Sequence, residues 1–158
     1  DAFGSGITAP KRGILFHCRG RAFNLLKGHP NELNPNKRPL HTIIPAMISD
    51  NNQLIGSFGV MGGQYQAAGH AYVLSQIIDF GLNPQAALNF PRVFPNNNIL
   101  DFEKEFDKEI VDDLASRGHE INYPAPLIGG GQIILIDNNR DVLIGASDWR
   151  KDGLAIGY

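Results

Sequence analysis

One feature constrains this chain more than any other: an apolar stretch ends in two consecutive glycines and runs straight into a helical pattern. Residues 54–60 read as a strand, with Ile55, Phe58 and Val60 set among Gly56 and Gly59, a mixture suited to a strand packed against other backbone. Met61-Gly62-Gly63 breaks that strand. Residues 64–80 then show helical spacing, predicting one face made of Ala67, Ala71, Leu74 and Ile78, with Val73 and Ile77 beside it and Gly81 as the C-terminal cap. A strand, a double-glycine corner and a helix in immediate succession require tight backbone that side chains would block.

The flanking sequence extends this into a fold class. Residues 42–48 form a β-branched run, and the turn Ser49-Asp50-Asn51-Asn52 connects it to the strand at 54–60 as a hairpin. Residues 13–17 read as a short strand, and 18–40 as a long polar excursion without periodicity, a type of loop that is often functional. Asn83-Pro84 starts a second helix, in the order cap then proline, which ends before Pro91. A strand at 98–102, an acidic amphipathic helix at 106–117 (Ile110, Val111, Leu114), a strand at 119–123 and a hairpin of 131–136 with 142–145 follow. Residues 147–158 look irregular. Strands and helices come in blocks, which predicts an α+β layer architecture in one domain, residues 1–158.

Composition removes several function classes. With 42% hydrophobic residues the chain has enough apolar material for a core, and no apolar run of about 18 residues exists to span a membrane. A formal net charge of -2 argues against a nucleic-acid partner, which needs clustered Lys and Arg. Cys18 is the single cysteine, so an intrachain disulfide and a thiolate zinc site are both excluded. The five histidines lack metal-ligand spacing, and His70, on the long helix, reads as structural. No metal and no cofactor are expected. The first residue is Asp1 rather than Met, which reads as a processed or truncated product.

Three constellations carry chemistry. At Gly62 and Gly63 two backbone N–H groups precede a helix N-terminus with no side chains in the way, and such a corner can hold an oxyanion. The same residues also fit a plain turn that needs positive φ. Lys37-Arg38-Pro39-Leu40-His41-Thr42 concentrates two cations, an imidazole and a hydroxyl where a strand begins; it fits a carboxylate site or a solvated loop. Ser147-Asp148-Trp149-Arg150, with Asp152, reads as a buried salt-bridged lock of the tail. There is no Gly-x-Ser-x-Gly nucleophile elbow.

The motifs Phe3-Gly4-Ser5-Gly6-Ile7, Gly13-Ile14-Leu15, Asn36-Lys37-Arg38-Pro39, Gly59-Val60-Met61-Gly62-Gly63, Asp79-Phe80-Gly81-Leu82-Asn83, Ala87-Leu88-Asn89-Phe90-Pro91-Arg92 and Gly145-Ala146-Ser147-Asp148 occur in this order. Together they resemble the small, C-terminal subunit of the γ-glutamyltranspeptidase family. The resemblance implies an N-terminal nucleophile hydrolase of αββα architecture, of which this chain is the small-subunit part. It implies a precursor that cleaves itself and a new N-terminal Thr that acts as nucleophile, its own amine serving as base. By the family pattern that Thr lies roughly 20 residues before Asp1. The family's oxyanion glycines fall on Gly62 and Gly63, and its paired hydroxyls for the substrate carboxylate fall on His41 and Thr42.

Two of these positions depart from the family pattern. The first paired hydroxyl is replaced by His41. The polar residue after Gly-Ile-Leu, and the Asp three further on that binds a γ-glutamyl amino group, are here Arg19 and Ala22. Without that Asp a substrate ammonium has no ionic partner, while Arg19 and Arg21 favour an anionic acyl group. The resemblance therefore leans toward the branch with cephalosporin (glutaryl) acylases and an oxamate amidohydrolase. γ-Glutamyl hydrolysis or transfer, cleavage of a different anionic acyl amide, and an inactive relative that binds a small acid all stay open. The expected partners are the large subunit from the same precursor, covering an otherwise exposed apolar face, and a small-molecule amide. Cytoplasm and periplasm are both compatible with the chain.

Overall fold

The computed structural model describes residues 4–124 and 126–158. Phe3 of the first motif and the terminal Asp1 lie outside the described residues. The chain divides into two compact units that meet in sequence between Ile43 and Ile44.

The first unit is built from short elements. Strands β1 (Thr8–Ala9) and β2 (Ile14–Leu15) pair antiparallel, and a single 3-10 turn, Arg19–Ala22, follows. The predicted strand at 13–17 shrinks to two residues because Gly13 turns at φ 66. The polar excursion closes on itself. Asn24 N–H donates to the Asn31 carbonyl at 2.9 Å, Leu33 N–H to the Asn24 carbonyl at 2.9 Å, and Gly28 N–H to Glu32 Oε2 at 2.8 Å.

The second unit centres on a four-stranded sheet in the order β3-β4-β8-β9, with β3 Ala46–Asp50, β4 Gln53–Met61, β8 Gly130–Asp137 and β9 Val142–Ser147, all antiparallel. The predicted hairpin is present, and Asn51 and Asn52 both take positive φ, as its two-residue turn demands. Its first strand starts at Ala46 and not at residue 42, because Pro45 has no N–H for the ladder. Helices α1 (Gln66–Ile78) and α2 (Pro84–Asn89) cover one sheet face. Phe58, Val60, Ile133 and Ala146 from the sheet pack there with Tyr65, Val73, Ala87 and Leu88. A smaller three-stranded sheet, β5 (Val93–Asn96), β6 (Ile99–Phe102) and β7 (Glu120–Asn122), carries α3 (Lys108–Ser116) between its last two strands. The layered α+β architecture expected from the sequence is what forms.

The face that α1 buries differs from the expected one. Gly69, Val73 and Gln76 are buried, whereas Ala67, Ala71 and Ile78 are exposed. A Cβ on Gly69 would stand 2.9 Å from Val60 Cγ1 and 2.6 Å from the Tyr65 ring. The helix therefore rolls onto its glycine, where backbone can approach the sheet, and not onto its widest apolar stripe. In α3, Val111 is buried as expected while Ile110 faces solvent.

The opposite face of the large sheet carries the other alternation of each strand. Met47, Met61, Ile134 and Leu143 project there at 68%, 45%, 50% and 70% exposure. This is the exposed apolar face anticipated for a chain supplying one layer pair.

Candidate active site

Strand β4 is locked by β8 up to Met61, which pairs with Gly130. The chain then turns through Gly62, at φ 144, and Gly63, at φ 61, a backbone that L side chains rarely adopt. Their carbonyls are drawn into the 3-10 turn Gly63–Tyr65 that opens α1: Gly62 O accepts from Tyr65 N–H at 3.2 Å, and Gly63 O accepts from Gln66 N–H. Among the described residues neither the Gly62 nor the Gly63 N–H has a hydrogen-bond acceptor. The space beside Gly63 is open, since a Cβ built there meets nothing within 4 Å. Two free amides at the N-terminus of a helix are a pair of donors for developing negative charge. Beside them the outward sheet face forms a cleft of about 530 Å³ lined by Ser57, Gly59, Met61, Gly130, Gln132 and Lys151 among others.

Behind the corner lies a group of four buried charged residues. Arg92 Nη2 donates to Asp148 Oδ2 at 2.6 Å, both side chains wholly buried. Arg150 Nη1 reaches Asp148 Oδ1 at 3.2 Å, and its Nε donates to Glu103 Oε1 at 2.6 Å. Burial works against the Arg150 charge, but the hydrogen bond and charge of Glu103 outweigh it and hold the guanidinium above its ordinary value. The tail lock expected at Asp148 and Arg150 thus exists, with one correction. Its second carboxylate is Glu103; Asp152 is exposed and serves as a left-handed residue ending the turn Trp149–Lys151. Arg92 and Glu103 were not singled out from sequence as members of this group. The available signal was weak: one charged residue directly after Ile99-Leu100-Asp101-Phe102, and one arginine after Phe90-Pro91.

Tyr65 packs between the corner and this group. Its ring lies 6.0 Å from the Arg92 guanidinium carbon and meets Phe94 edge-on. The Tyr65 hydroxyl is buried without a hydrogen-bond partner among the described residues, and burial pushes its pKa to about 12. His70 is structural, as expected. Its Nε2 accepts from Val60 N–H at 3.3 Å, and its Nδ1 donates to Gln66 O at 2.6 Å.

Within the first unit the structure brings two of the sequence candidates together: Arg19 Nη1 donates to Thr42 Oγ1. Both are half-buried, and the 3-10 turn Arg19–Ala22 presents the arginine. His41, next to Thr42, is exposed, as are Lys37, Arg38 and Arg21. Among the described residues no cluster of His, Cys, Asp or Glu could hold a metal ion, and no helix is long and apolar enough to cross a membrane.

The gamma-glutamyltranspeptidase family model matches residues 1–158. The chain belongs to this family. It is 32% identical over 164 residues to the glutathione hydrolase-like YwrD proenzyme of Bacillus subtilis, covering 98% of this chain and 31% of that protein. It is 31% identical to the oxamate amidohydrolase proenzyme of Klebsiella pneumoniae, covering 99% of this chain and 31% of that one. Among solved structures, the cephalosporin acylase from Bacillus halodurans superposes with a TM-score of 0.85 at 43% identity, over 98% of this chain and 30% of that chain. The chain thus spans about a third of the length of the relatives it matches. The mixed helix-and-sheet fold is that of the family's N-terminal nucleophile hydrolases.

Proposed function

We propose that this chain is the small-subunit portion of a self-processed amide hydrolase whose oxyanion hole is the Gly62 and Gly63 amide pair. The observation that carries the reading is the pair of unengaged N–H groups at a helix start, with open space beside Gly63. In the reaction, the hydroxyl of an N-terminal Thr, contributed by the precursor outside these residues, attacks the amide carbonyl. Its own amine takes the proton and returns it to the departing amine. An ester forms on the Thr, and water then attacks the ester to release the acid. Both tetrahedral intermediates place negative charge on one oxygen, which the two glycine amides receive.

The acyl group we assign is one that ends in a carboxylate and carries no α-ammonium. Arg19 supplies a cation held by Thr42, and Ala22 offers no carboxylate to an ammonium. One relative is named for an amide of this class, oxamate amidohydrolase, while others are named glutathione hydrolases, so the assignment rests on Arg19 and Ala22. The large subunit of the same precursor is the partner we infer, seated on the apolar sheet face of Met47, Met61, Ile134 and Leu143. The test is a substrate comparison on the full-length, self-processed protein. Glutaryl- or oxamyl-amides are expected to show at least about tenfold higher kcat/KM than γ-glutamyl-amides, the cost of leaving an ammonium unpaired. Preference for the γ-glutamyl amide removes the assignment. A precursor that never yields two chains and a new N-terminal Thr removes the mechanism.

A further inference from the structure

We propose that the buried group Arg92, Glu103, Asp148 and Arg150 positions the Gly62 and Gly63 amides by clamping the backbone on which Gly62 rests. The proposal builds on the reading of that corner as the oxyanion hole. The clamp acts on residues 128–131, the segment leading into β8. At its first end, Arg92 Nη1 donates to the Ile128 carbonyl at 2.7 Å, and Ile128 N–H donates to Glu103 Oε1 at 3.2 Å. At its other end, Gly131 N–H donates to Asp148 Oδ2 at 2.8 Å, and the Gly131 carbonyl accepts from Asp148 N–H at 3.0 Å. Both the donor and the acceptor of each end residue are thus engaged by the charged group. Every charged member is buried, so neither end can shift without unpairing a charge away from water.

Between the two clamped residues lie Gly129 and Gly130. A Cβ on Gly129 would stand 2.7 Å from the Met61 carbonyl oxygen, and a Cβ on Gly62 would stand 3.2 Å from Gly129 Cα. The contact is backbone on backbone, with no flexible side chain to absorb movement. A displacement of Gly129 must pass to Gly62. A second route runs through Tyr65, whose ring lies over Arg92 and whose N–H donates to the Gly62 carbonyl at 3.2 Å. The charged group therefore reaches the corner by two routes, through residues 128–131 and through Tyr65, while bonding none of its amides. Because a shift of about 1 Å in a catalytic donor can cost about 10²-fold in rate, this support has catalytic weight beyond stability.

The experiment is a double-mutant cycle on the full-length, self-processed enzyme, with turnover normalised to titrated active sites. Asp148→Asn keeps the side-chain volume and an acceptor for Gly131 N–H, but removes the charge that holds Arg92. It is expected to lower kcat about 10- to 100-fold with KM within about threefold. Combined with Gly62→Ala, it is expected to add less than about threefold to the loss from Gly62→Ala alone, since both act through one corner. Unchanged kcat in Asp148→Asn, or losses that multiply in full, would overturn the proposal. Unchanged kcat in Gly62→Ala would instead remove the oxyanion reading itself. If Asp148→Asn does not fold, hydrogen exchange of the wild-type enzyme decides. Residues 60–65 and 127–131 are expected to open with one common free energy, and unequal opening energies overturn the clamp.

Discussion

The two groups of candidate residues, one in each unit, are made of opposite materials. The corner at Gly62 and Gly63 presents bare backbone at the end of a nine-residue strand, with a buried charged group behind it. Arg19 and Thr42 are half-buried side chains carried by a four-residue turn and an irregular stretch. Groups that must meet charge as it develops gain from rigidity, because reorganisation during reaction is costly. Groups that recognise an acyl chain can sit on short, exchangeable elements. On the proposed reading, the corner is held from the core of its unit and the recognition residues are not, which would let the acyl group vary while the corner stays fixed.

The contrast can be broken at several points. The largest effect is expected from Arg92→Ala, which removes the 2.6 Å partner of buried Asp148 and leaves it only the longer ion pair with Arg150. A loss of about 3–5 kcal/mol is expected in denaturant unfolding of the full protein. Arg19→Ala is expected to leave that midpoint nearly unchanged and to raise KM about 10-fold for a carboxylate-bearing acyl amide, with kcat within a few-fold. If Arg19→Ala destabilised the protein as Arg92→Ala does, the division into rigid corner and exchangeable recognition would be wrong. The smallest effect belongs to Tyr65→Phe. Removing a buried hydroxyl without a partner is expected to stabilise the protein by about 1 kcal/mol. The tyrosine also adds a pH dependence. Its pKa rises from 10.0 to about 12 on folding, so its contribution is present below pH 10 and fades as pH climbs through 12. The Phe variant is expected to show a shallower fall in thermal midpoint across that window.

Local chemistry was legible in the sequence wherever it acts over a few residues. The hairpin follows from Asn51 and Asn52, the start of α2 from Asn83 and Pro84, and the corner from the glycine pair itself. Asn83 Oδ1 accepts from Ala86 N–H at 2.8 Å, the cap its position implied. What escaped depends on distant partners. Glu103 becomes a clamp residue only because Arg150, 47 positions on, folds back onto it. The buried face of α1 is set by the close approach of Gly69 to Val60, which periodicity alone cannot report. Strand β5 contains Pro95 and the sequence reading assigns it no element, yet it pairs with β6 as an edge strand where a missing N–H is tolerated. The pairing of Arg19 with Thr42 across 23 residues likewise depends on a distant partner, although the sequence points to each residue singly.

The central claim is that the amides of Gly62 and Gly63 stabilise a tetrahedral oxyanion. Proline cannot test it cleanly, since neither glycine has the φ near −65° that proline requires. Alanine at Gly63 has room for its Cβ, so it does not fill the site, while φ 61 strains the backbone that carries the donor. The decisive measurement is single-turnover acylation of the processed enzyme by an activated amide, comparing wild type with Gly63→Ala. The account predicts a fall of about 10²-fold in the acylation rate with substrate affinity nearly unchanged. An equal rate in the two proteins would contradict it.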